Sequence, residues 1–375
     1  MAGPNWMTNL FNNENGFPVR PLHQITIPGT HDAGCYIDHG NYFNFLSRTQ
    51  TETIGQQLTG GIRYFDIRPC KTGNNEFWTY HGMFYWGARL DGAGGILEQV
   101  RDFLNAGGTG NRELVILNIS HFSKFNEAAH ALLIQRIQAT LGNHLVPHTQ
   151  AELNLFNDPY QQVLTDRAGT VAPRVAILYD GALDTNKETY IEMNNLPAGF
   201  FKLSPKYNAN LNAVNQVYLF DQYSNSAVME SDLVRTGVIP NQMKKLNERQ
   251  KYYYTNKSWG NGLPKWTANG LGTTAVNGTM HLFSWTLTPQ PYTDPITAAN
   301  NDANPVLLDQ FTDDNWSDDS PYDPTVDKKI NIIYVDDYAS ETYAGVNVAR
   351  QNLAMPVAIS EFLNRLDGWT DWNAF

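Results

Sequence analysis

Short apolar runs rich in β-branched residues recur along this chain, and each run ends in polar or glycine-rich residues. Runs of about four to eight such residues, bounded by turn-forming residues, are typical of buried β-strands. Longer segments, several with helical character, lie between the runs, as expected when strands alternate with crossover helices. The predicted strands are residues 24–28, 62–67, 77–80, 114–119, 174–179, 217–220, 281–287 and 330–335.

This alternation predicts an α/β protein with a parallel, helix-covered sheet. Eight strands favour a closed or nearly closed TIM-type (β/α)8 barrel, in a single domain over residues 1–375. Irregular segments after the second and sixth strands indicate a distorted barrel, and long decorating loops are expected at about 251–325. The predicted helices are residues 93–105, 126–141, 227–250 and 355–366, with a weaker signal at 296–311.

Composition and charge exclude several classes of protein. Hydrophobic residues make up 42% of the 375 residues, enough for a large core, but no run approaches the roughly 18 apolar residues of a membrane span. The formal net charge of −11 disfavours nucleic acid as a partner and disfavours basic anchoring to anionic membranes. Any membrane contact should therefore use apolar and aromatic groups.

The cysteine content is low. Cys35 and Cys70 are too few for a disulfide scaffold or a cysteine-based metal site. We interpret them as small buried residues. A disulfide between them is the alternative, because each follows a strand that we expect to contribute to the active site.

Ionisable side chains stand repeatedly where the predicted strands end. In a parallel barrel the carboxyl ends of the strands meet at one face, where active sites are found. Two histidines, one arginine and several carboxylates are therefore expected to converge on one mouth. The strand-end residues are His31 and Asp32, Asp66 and Arg68, His81, Asp221 and Tyr223, and Asp336 and Asp337.

This set of side chains suits in-line attack on a phosphodiester. One imidazole can take a proton from the attacking hydroxyl while the other gives a proton to the leaving oxygen. A guanidinium fits phosphate oxygens, and carboxylates fix the imidazole tautomers. A single histidine at a strand end is more often structural than catalytic. The interpretation therefore depends on His31, Arg68 and His81 occurring together with acidic neighbours.

Several motifs of the chain occur in a family-specific order. The N-terminal motifs are Ile27-Pro-Gly-Thr-His-Asp-Ala-Gly34, Thr49-Gln50, Gly61-Ile-Arg-Tyr-Phe-Asp-Ile-Arg68, His81-Gly82 and Glu113-Leu-Val-Ile-Leu117. From about residue 20 to 123, this order resembles the X domain of bacterial phosphatidylinositol-specific phospholipases C. The later matches are restricted to strand ends, namely Asp221-Gln-Tyr223, Trp285-Thr-Leu-Thr-Pro289 and Asn331-Ile-Ile-Tyr-Val-Asp336.

The resemblance implies cleavage of phosphatidylinositol, or of a related glycan-bearing lipid, to diacylglycerol and inositol 1,2-cyclic phosphate. His31 would act as general base on the inositol 2-hydroxyl, and His81 as general acid toward the diacylglycerol oxygen. Arg68 would bind a phosphate oxygen. Asp336 would orient His31, with neighbouring Asp337 as the alternative. The remaining carboxylates, Asp32 and Asp66, would support His81 and Arg68.

The metal requirement can be argued from the same positions. Eukaryotic relatives of the family that this chain resembles bind calcium. Their ligands are an asparagine after the first histidine and acidic residues at two further positions. This chain has Asp32, Arg68 and Ser120 there. A guanidinium cannot ligate a cation and repels it. We therefore expect a metal-independent enzyme without a cofactor.

The head-group residues match the family only in part. Asp221 and Tyr223 correspond to positions that accept hydrogen bonds from inositol hydroxyls and stack on the ring. A lysine and an arginine of the bacterial enzymes are absent, and Ser120-His121 and Tyr179-Asp180 stand in their places. His121 and Tyr179 are therefore candidate substrate-binding residues, and a structural role is the alternative for His121.

Aromatic clusters near the predicted mouth indicate how the protein contacts lipid. Bacterial relatives insert apolar residues into bilayers from loops that correspond to Phe43 and Phe45 and to Trp259 and Trp266 in this chain. Aromatic rings with polar edges suit the bilayer interface. A third cluster, residues 83–86, is equally compatible with a place in the core.

The resemblance further implies transient contact with a phospholipid membrane, an inositol lipid substrate, no nucleic acid and a monomer. It also implies a secreted or extracellular location, although the first residues show no signal peptide, so a cytoplasmic location remains the alternative. Two other functions remain open. One is a phosphodiesterase of the same fold in which water attacks a non-inositol lipid, and the other is a non-catalytic lipid- or sugar-binding barrel.

Replacing Phe43 and Trp259 together with alanine should weaken binding to lipid vesicles, because both rings are expected to enter the bilayer interface. Hydrolysis of a soluble phosphodiester substrate should be unchanged. Vesicle sedimentation and a soluble-substrate assay measure the two effects. Equal loss in both assays would contradict membrane anchoring by these rings.

Overall fold

The computed structural model of the chain is organised by one parallel sheet of eight strands. The structure describes residues 4–40, 47–82, 87–181, 195–203, 218–221, 227–228, 279–286, 288–289, 295–304, 307, 331–339, 357, 360 and 364. The described strands are β1 (Ile27–Thr30), β2 (Tyr64–Ile67), β3 (Pro69–Lys71), β4 (Phe77–Thr79), β5 (Leu114–Ile119), β6 (Arg174–Tyr179), β7 (Phe200–Lys202), β8 (Tyr218–Asp221), β9 (Ala227–Val228), β10 (Thr279–Trp285), β11 (Thr288–Pro289) and β12 (Ile332–Val335).

The strand order is that of a (β/α)8 barrel. It runs β7-β6-β5-β2-β1-β12-β10-β8, so that the last strand, β12, returns to the first. All pairings are parallel. Among the described residues no pairing joins β7 to β8. β5 and β6 are buried at every residue, as expected for strands covered on both faces.

One predicted barrel strand lies outside the barrel. The prediction over residues 77–80 is wrong in this respect, because β4 pairs antiparallel with β3 in a separate two-stranded ribbon. A parallel crossover needs about a dozen residues or more, and residues 68–76 are too few for one. The place in the barrel is taken by β7, a strand of three residues that is too short to show a hydrophobic pattern.

The helices partly follow the prediction. They are α1 (Trp6–Asn13), α2 (Ile54–Gly60), α3 (Ile96–Ala106), α4 (Glu127–Leu141), α5 (Tyr160–Leu164) and α6 (Pro295–Ala298), with 3-10 turns at Leu22–Gln24 and Gly142–His144 and a π-helical turn at Ala299–Ala303. α3 and α4 confirm the predictions over 93–105 and 126–141. α4 begins at Asn126, whose side chain accepts a hydrogen bond from the Ala129 amide and caps the helix.

Two other helix predictions have mixed outcomes. The prediction over 227–250 is wrong at its start, where β9 pairs with β11, and residues 229–250 lie outside the described residues. In 355–366, Val357, Ser360 and Asn364 are helical and buried, and their spacing places them on one helix face. Most of the loop-rich segment 251–325 lies outside the described residues. None of the described helices is long and apolar enough to cross a membrane.

A buried ion pair closes the end of the barrel opposite the strand ends that carry the histidines. The Arg63 Nε and Glu113 Oε2 atoms are 2.7 Å apart, and both side chains are fully buried. The backbone amide and hydroxyl of Thr8 donate to the other Glu113 oxygen, at 2.8 and 2.7 Å. Arg63 also lies over the Phe103 ring, with its Cζ atom 4.7 Å from the ring centroid. These contacts attach the N-terminal segment to β2 and β5.

Replacing Glu113 with glutamine should lower the free energy of unfolding by about 3–5 kcal/mol, because it leaves the Arg63 charge buried without its counterion. Urea unfolding followed by circular dichroism measures the change. Glu152→Gln is the matched control, since Glu152 pairs with Arg167 on the surface, and it should leave the midpoint unchanged. A similar loss of unfolding free energy in both variants would show that the buried pair stabilises the fold no more than the surface pair does.

Candidate active site

The register of the sheet places the ends of β1, β2 and β12 side by side. Thr30 is paired with Phe65 of β2 and with Val335 of β12. The residues that follow these strands therefore meet at one face of the barrel. His31 and Asp336 are in direct contact there, although they are 305 positions apart in the chain.

His31 has a defined tautomer. Its Nδ1 atom lies 2.7 Å from Asp336 Oδ1, and its Nε2 atom lies 2.9 Å from Arg68 Nη2. Because a guanidinium can only donate, Nε2 accepts from Arg68, and Nδ1 carries the proton that is donated to Asp336. Burial lowers the pKa of His31, but the Asp336 and Asp32 carboxylates outweigh burial and Arg68 and raise it above its ordinary value.

The structure distinguishes the two candidate partners of His31. Asp336 faces the imidazole, whereas the Asp337 side chain accepts a hydrogen bond from Thr51 Oγ1 at 2.5 Å. Asp337 has a φ of 38°, in the left-handed region, and its amide donates to the Thr49 carbonyl. This turn of the backbone separates the directions of the two neighbouring carboxylates. Asp336, the first choice from the sequence, therefore contacts His31.

Arg68 lies between two carboxylates. Its Nε atom is 3.0 Å from Asp66 Oδ2 and 2.7 Å from Asp32 Oδ1. Asp66 Oδ2 also accepts a hydrogen bond from the Tyr334 hydroxyl at 2.6 Å. Burial alone would raise the pKa of Asp66, but Arg68, the nearby histidines and the Tyr334 hydrogen bond lower it to about 2. Asp66 is therefore the fixed anion that holds Arg68.

Asp32 differs from Asp66 although both contact the same guanidinium. Its side chain is 1% exposed, and neither of its carboxylate oxygens accepts a hydrogen bond from the part of the chain that the structure describes. The Arg68 Nε–H group is directed at Asp66, so its contact with Asp32 is an ion pair without a hydrogen bond. Burial raises the pKa of Asp32 to about 6, because Arg68 and His31 offset only part of the desolvation.

His81 faces His31 across the site. The centroids of the two imidazole rings are 5.9 Å apart, and the ring planes are at 89°. His81 Nε2 lies 3.4 Å from Asp32 Oδ2, and its side chain is 22% exposed. The next residue, Gly82, has a φ of +58°, a conformation that favours glycine. The ribbon of β3 and β4 thus brings the second histidine to the strand ends, although β4 is not a barrel strand.

Three further residues support the site, and none of them was predicted as a site residue, although Gln50 and Tyr334 lie in the family motifs. Tyr334 donates to Asp66, and the centroid of its ring is 5.2 Å from that of His31. Gln50 donates to the His31 carbonyl, and Asn304 donates to the Asp336 carbonyl. Strand alternation could have found Tyr334, because it lies two residues before Asp336 in the same run. No sequence signal indicates Asn304.

His121 lies beside the site. It follows β5, has a φ of 56°, and its Nδ1 atom is 2.8 Å from Ser120 Oγ. It is one of the charged groups that lower the pKa of Asp66. Its predicted contact with substrate stays a prediction.

Tyr179 lies in the core, contrary to the expectation that it contributes to substrate binding. Its side chain is fully buried, and its hydroxyl is 2.8 Å from Nδ1 of His130 on α4. Its ring packs against Phe122 and Phe200. The side chain therefore points from β6 into the helix layer and not toward the strand-end site.

The other predicted substrate- and membrane-contact residues lie wholly or partly outside the described residues. Asp221 is the last residue of β8, but its side chain lies outside the described part of the structure. The remaining substrate- and membrane-contact candidates that lie outside the described residues are Tyr223, Phe43, Phe45, Trp259 and Trp266. Their roles stay predictions.

Both cysteines are buried free thiols. Burial and the nearby Asp32 raise the pKa of Cys35 well above its usual range, and burial raises that of Cys70 to about 11. Neither is therefore a thiolate near neutral pH. The interpretation as small buried residues is confirmed, and the two do not form a disulfide.

The residues at these strand ends do not suit calcium. Calcium takes about six to eight oxygen ligands. Here Asp32 and Asp66 are both engaged by Arg68, which cannot ligate a cation. Ser120 is buried and its hydroxyl contacts His121.

Comparison with known proteins found no matching family model. "PI-PLC X domain-containing protein 3" of Danio rerio is 29% identical over 208 residues, which are 48% of this chain and 61% of that protein. The human "PI-PLC X domain-containing protein 2" is 30% identical over 178 residues, 40% of this chain and 54% of that protein. The "1-phosphatidylinositol phosphodiesterase" of Staphylococcus aureus is 30% identical over 102 residues, 27% of this chain and 30% of that protein. The chain thus matches less than two thirds of the length of each relative.

Solved structures show the same fold. The phosphatidylinositol-specific phospholipase C from Listeria monocytogenes is 20% identical, with a TM-score of 0.53 over 91% of this chain and 96% of that chain. A phosphatidylinositol-specific phospholipase C from Staphylococcus aureus is 15% identical, with a TM-score of 0.55 over 96% of both chains. The resemblance seen in the sequence and the predicted TIM-type barrel are both confirmed.

Replacing Asp336 with asparagine should lower the pKa of His31, because it removes a carboxylate that raises this pKa while burial and Arg68 continue to lower it. NMR titration of the imidazole protons measures the shift. Asp337→Asn is the matched control and should leave the His31 titration nearly unchanged, since Asp337 contacts Thr51 instead. An equal shift in both variants would contradict the assignment of Asp336 as the partner.

Proposed function

We propose that this chain is a metal-independent phospholipase C that cleaves the glycerophosphodiester bond of phosphatidylinositol or of a glycan-bearing relative. The observation that carries the proposal is the arrangement of His31 and His81. One imidazole is oriented by Asp336 and presents an unprotonated Nε2 atom, and the second faces it with Arg68 beside them. The names of the relatives and solved structures support the same class of substrate.

In the proposed first step, His31 Nε2 takes the proton from the inositol 2-hydroxyl, whose oxygen then attacks phosphorus. The bond between phosphorus and the diacylglycerol oxygen breaks, and His81 gives that oxygen a proton. The products are diacylglycerol and a five-membered inositol cyclic phosphate. Water can open the ring in a second step, with the roles of His31 and His81 exchanged.

Arg68 is the proposed ligand of the non-bridging phosphate oxygens. Asp66 fixes its Nε end, and its Nη2 atom lies at His31, where the reacting hydroxyl would be. A fixed guanidinium next to a growing negative charge can replace a metal ion in this role. Asp32, 3.4 Å from His81, is placed to stabilise that ring when it carries a positive charge.

The proposal extends to the head group and the membrane. Asp221, Tyr223 and His121 are proposed to contact the inositol ring. The loops with Phe43, Phe45, Trp259 and Trp266 are proposed to contact the bilayer transiently, at an extracellular lipid surface. These parts follow from the family resemblance and from the residue types, and no nucleic acid partner or oligomer is required for them.

Incubation with phosphatidylinositol vesicles should release a cyclic phosphate that phosphorus NMR detects, and a chelator should not lower the rate. His31→Ala should lower the rate by about 10²–10⁴-fold, the usual contribution of one general acid–base group. His144→Ala should retain activity, because the His144 ring contacts Asn105 at the surface.

Each other outcome has a defined meaning. A linear phosphate without any cyclic intermediate would favour attack by water on a non-inositol lipid. Full inhibition by the chelator would contradict metal-independent catalysis. No turnover on any phospholipid, with vesicle binding retained, would favour the non-catalytic binding barrel.

A further inference from the structure

His31, Asp32 and His81 offer three possible metal ligands within 4.8 Å of one another. We propose that they form an inhibitory binding site for one Zn²⁺ ion. The ligand atoms are Nε2 of His31, Nε2 of His81 and Oδ2 of Asp32. Occupation would engage the Nε2 atoms that the proposed reaction needs for proton transfer. The inhibition of lipid cleavage rests on the proposed function, whereas the binding of Zn²⁺ does not.

The distances fit tetrahedral coordination. Zn–N bonds of about 2.05 Å and Zn–O bonds of about 2.1 Å, at a tetrahedral angle, separate N and O ligands by about 3.4 Å. Asp32 Oδ2 lies 3.4 Å from Nε2 of His31 and 3.4 Å from Nε2 of His81. The two imidazole nitrogens are within 4.8 Å of each other, and this edge must shorten by up to about 1.4 Å for an ideal tetrahedron. A water molecule would complete the coordination.

The ligand atoms are in a suitable chemical state. His31 donates its Nδ1 proton to Asp336, and a histidine that binds metal is commonly oriented in this way by a carboxylate. Its Nε2 lone pair accepts a hydrogen bond from Arg68 and becomes a ligand only when that bond breaks. Asp32 is 1% exposed, and neither of its oxygens accepts a hydrogen bond from the described residues. Its Oδ1 atom is paired with Arg68, so Oδ2, which lies near both imidazoles, is the oxygen that can bind the ion.

The donor set also determines which ion fits. Two imidazoles and one carboxylate suit zinc and neighbouring transition metals, whereas calcium and magnesium need more oxygen ligands. The site is net negative when ionised, because Asp32, Asp66 and Asp336 outnumber the single guanidinium of Arg68 in the cluster. This net negative charge favours binding of a cation. Because the proposed ion inhibits the enzyme, the proposal does not conflict with metal-independent catalysis.

Arg68 opposes binding of the ion. Its Nη2 atom donates to His31 Nε2 at 2.9 Å, and the metal must displace this hydrogen bond and tolerate the nearby positive charge. The ion therefore competes with Arg68 for His31 Nε2, and Arg68 weakens the proposed site. Replacing Arg68 should therefore tighten metal binding and at the same time lower the catalytic rate. Damage to the fold would weaken both, so it can be distinguished from the proposed effect.

The test titrates the metal-free full chain with Zn²⁺ in a calorimeter and with Co²⁺ in a visible spectrometer. We expect one ion per chain and the intense visible absorption of tetrahedral Co²⁺. His81→Ala should weaken Zn²⁺ binding by at least about tenfold, and Asp336→Asn by about 10–100-fold, through loss of a ligand and of its orienting partner. Arg68→Gln should tighten binding. His144→Ala, at a surface histidine outside the cluster, should change nothing.

The outcomes separate this proposal from the proposed function. Zn²⁺ binding that is unaffected by His81→Ala, or that disappears in His144→Ala, would overturn the site. Weaker binding in Arg68→Gln would also overturn it. If Zn²⁺ binds as expected but the protein turns over no lipid, only the enzymatic proposal fails. If lipid turnover is normal and Zn²⁺ neither binds nor inhibits, only the metal site fails.

Discussion

The parallel pairing of β1 with both β2 and β12 is the constraint on which the site depends. It places the first and last strands of the barrel next to each other, and with them His31 and Asp336. The same register brings Asp66 and Arg68 to the edge of β1. Parallel neighbours end at the same side of a sheet, so residues from distant parts of the chain meet without a dedicated loop.

The charges at the site depend on where the donors point. Asp32 and Asp66 contact the same guanidinium, yet the pKa of Asp66 is lowered to about 2 and that of Asp32 is raised to about 6. Hydrogen bonds from Arg68 and Tyr334 stabilise the Asp66 anion, whereas no donor among the described residues forms a hydrogen bond with the Asp32 carboxylate. Asp66 therefore holds Arg68, and Asp32 Oδ2 lies near the two imidazoles. The tautomer of His31 suits both the proposed base and the proposed metal ligand, and the hydrogen bond from Arg68 opposes the second use.

The hydrophobic pattern of the sequence predicted much of the fold. The strands that it missed or misplaced have physical explanations. β5 and β6 are long buried runs, and their apolar residues predict them because strands covered on both faces have no polar side. β7 has three residues, too few for any pattern. β4 has the pattern of a strand, but the pattern does not state which partner it pairs with, and the short connection from β3 makes that partner antiparallel.

Residue type and strand-end position were sufficient to select His31, Asp32, Asp66, Arg68 and His81, because their chemistry is useful only when they are together. The family resemblance favoured Asp336, but the residue types alone left Asp337 as an alternative. Adjacent carboxylates are distinguished only by the left-handed turn at Asp337, which directs one to His31 and the other to Thr51. The sequence also could not show that Tyr179 points into the helix layer. Alternation along a strand separates two sets of side chains, but it does not say which set faces the barrel interior and which faces the helices. Side-chain direction is set by packing between elements, and this is the information that a linear sequence lacks.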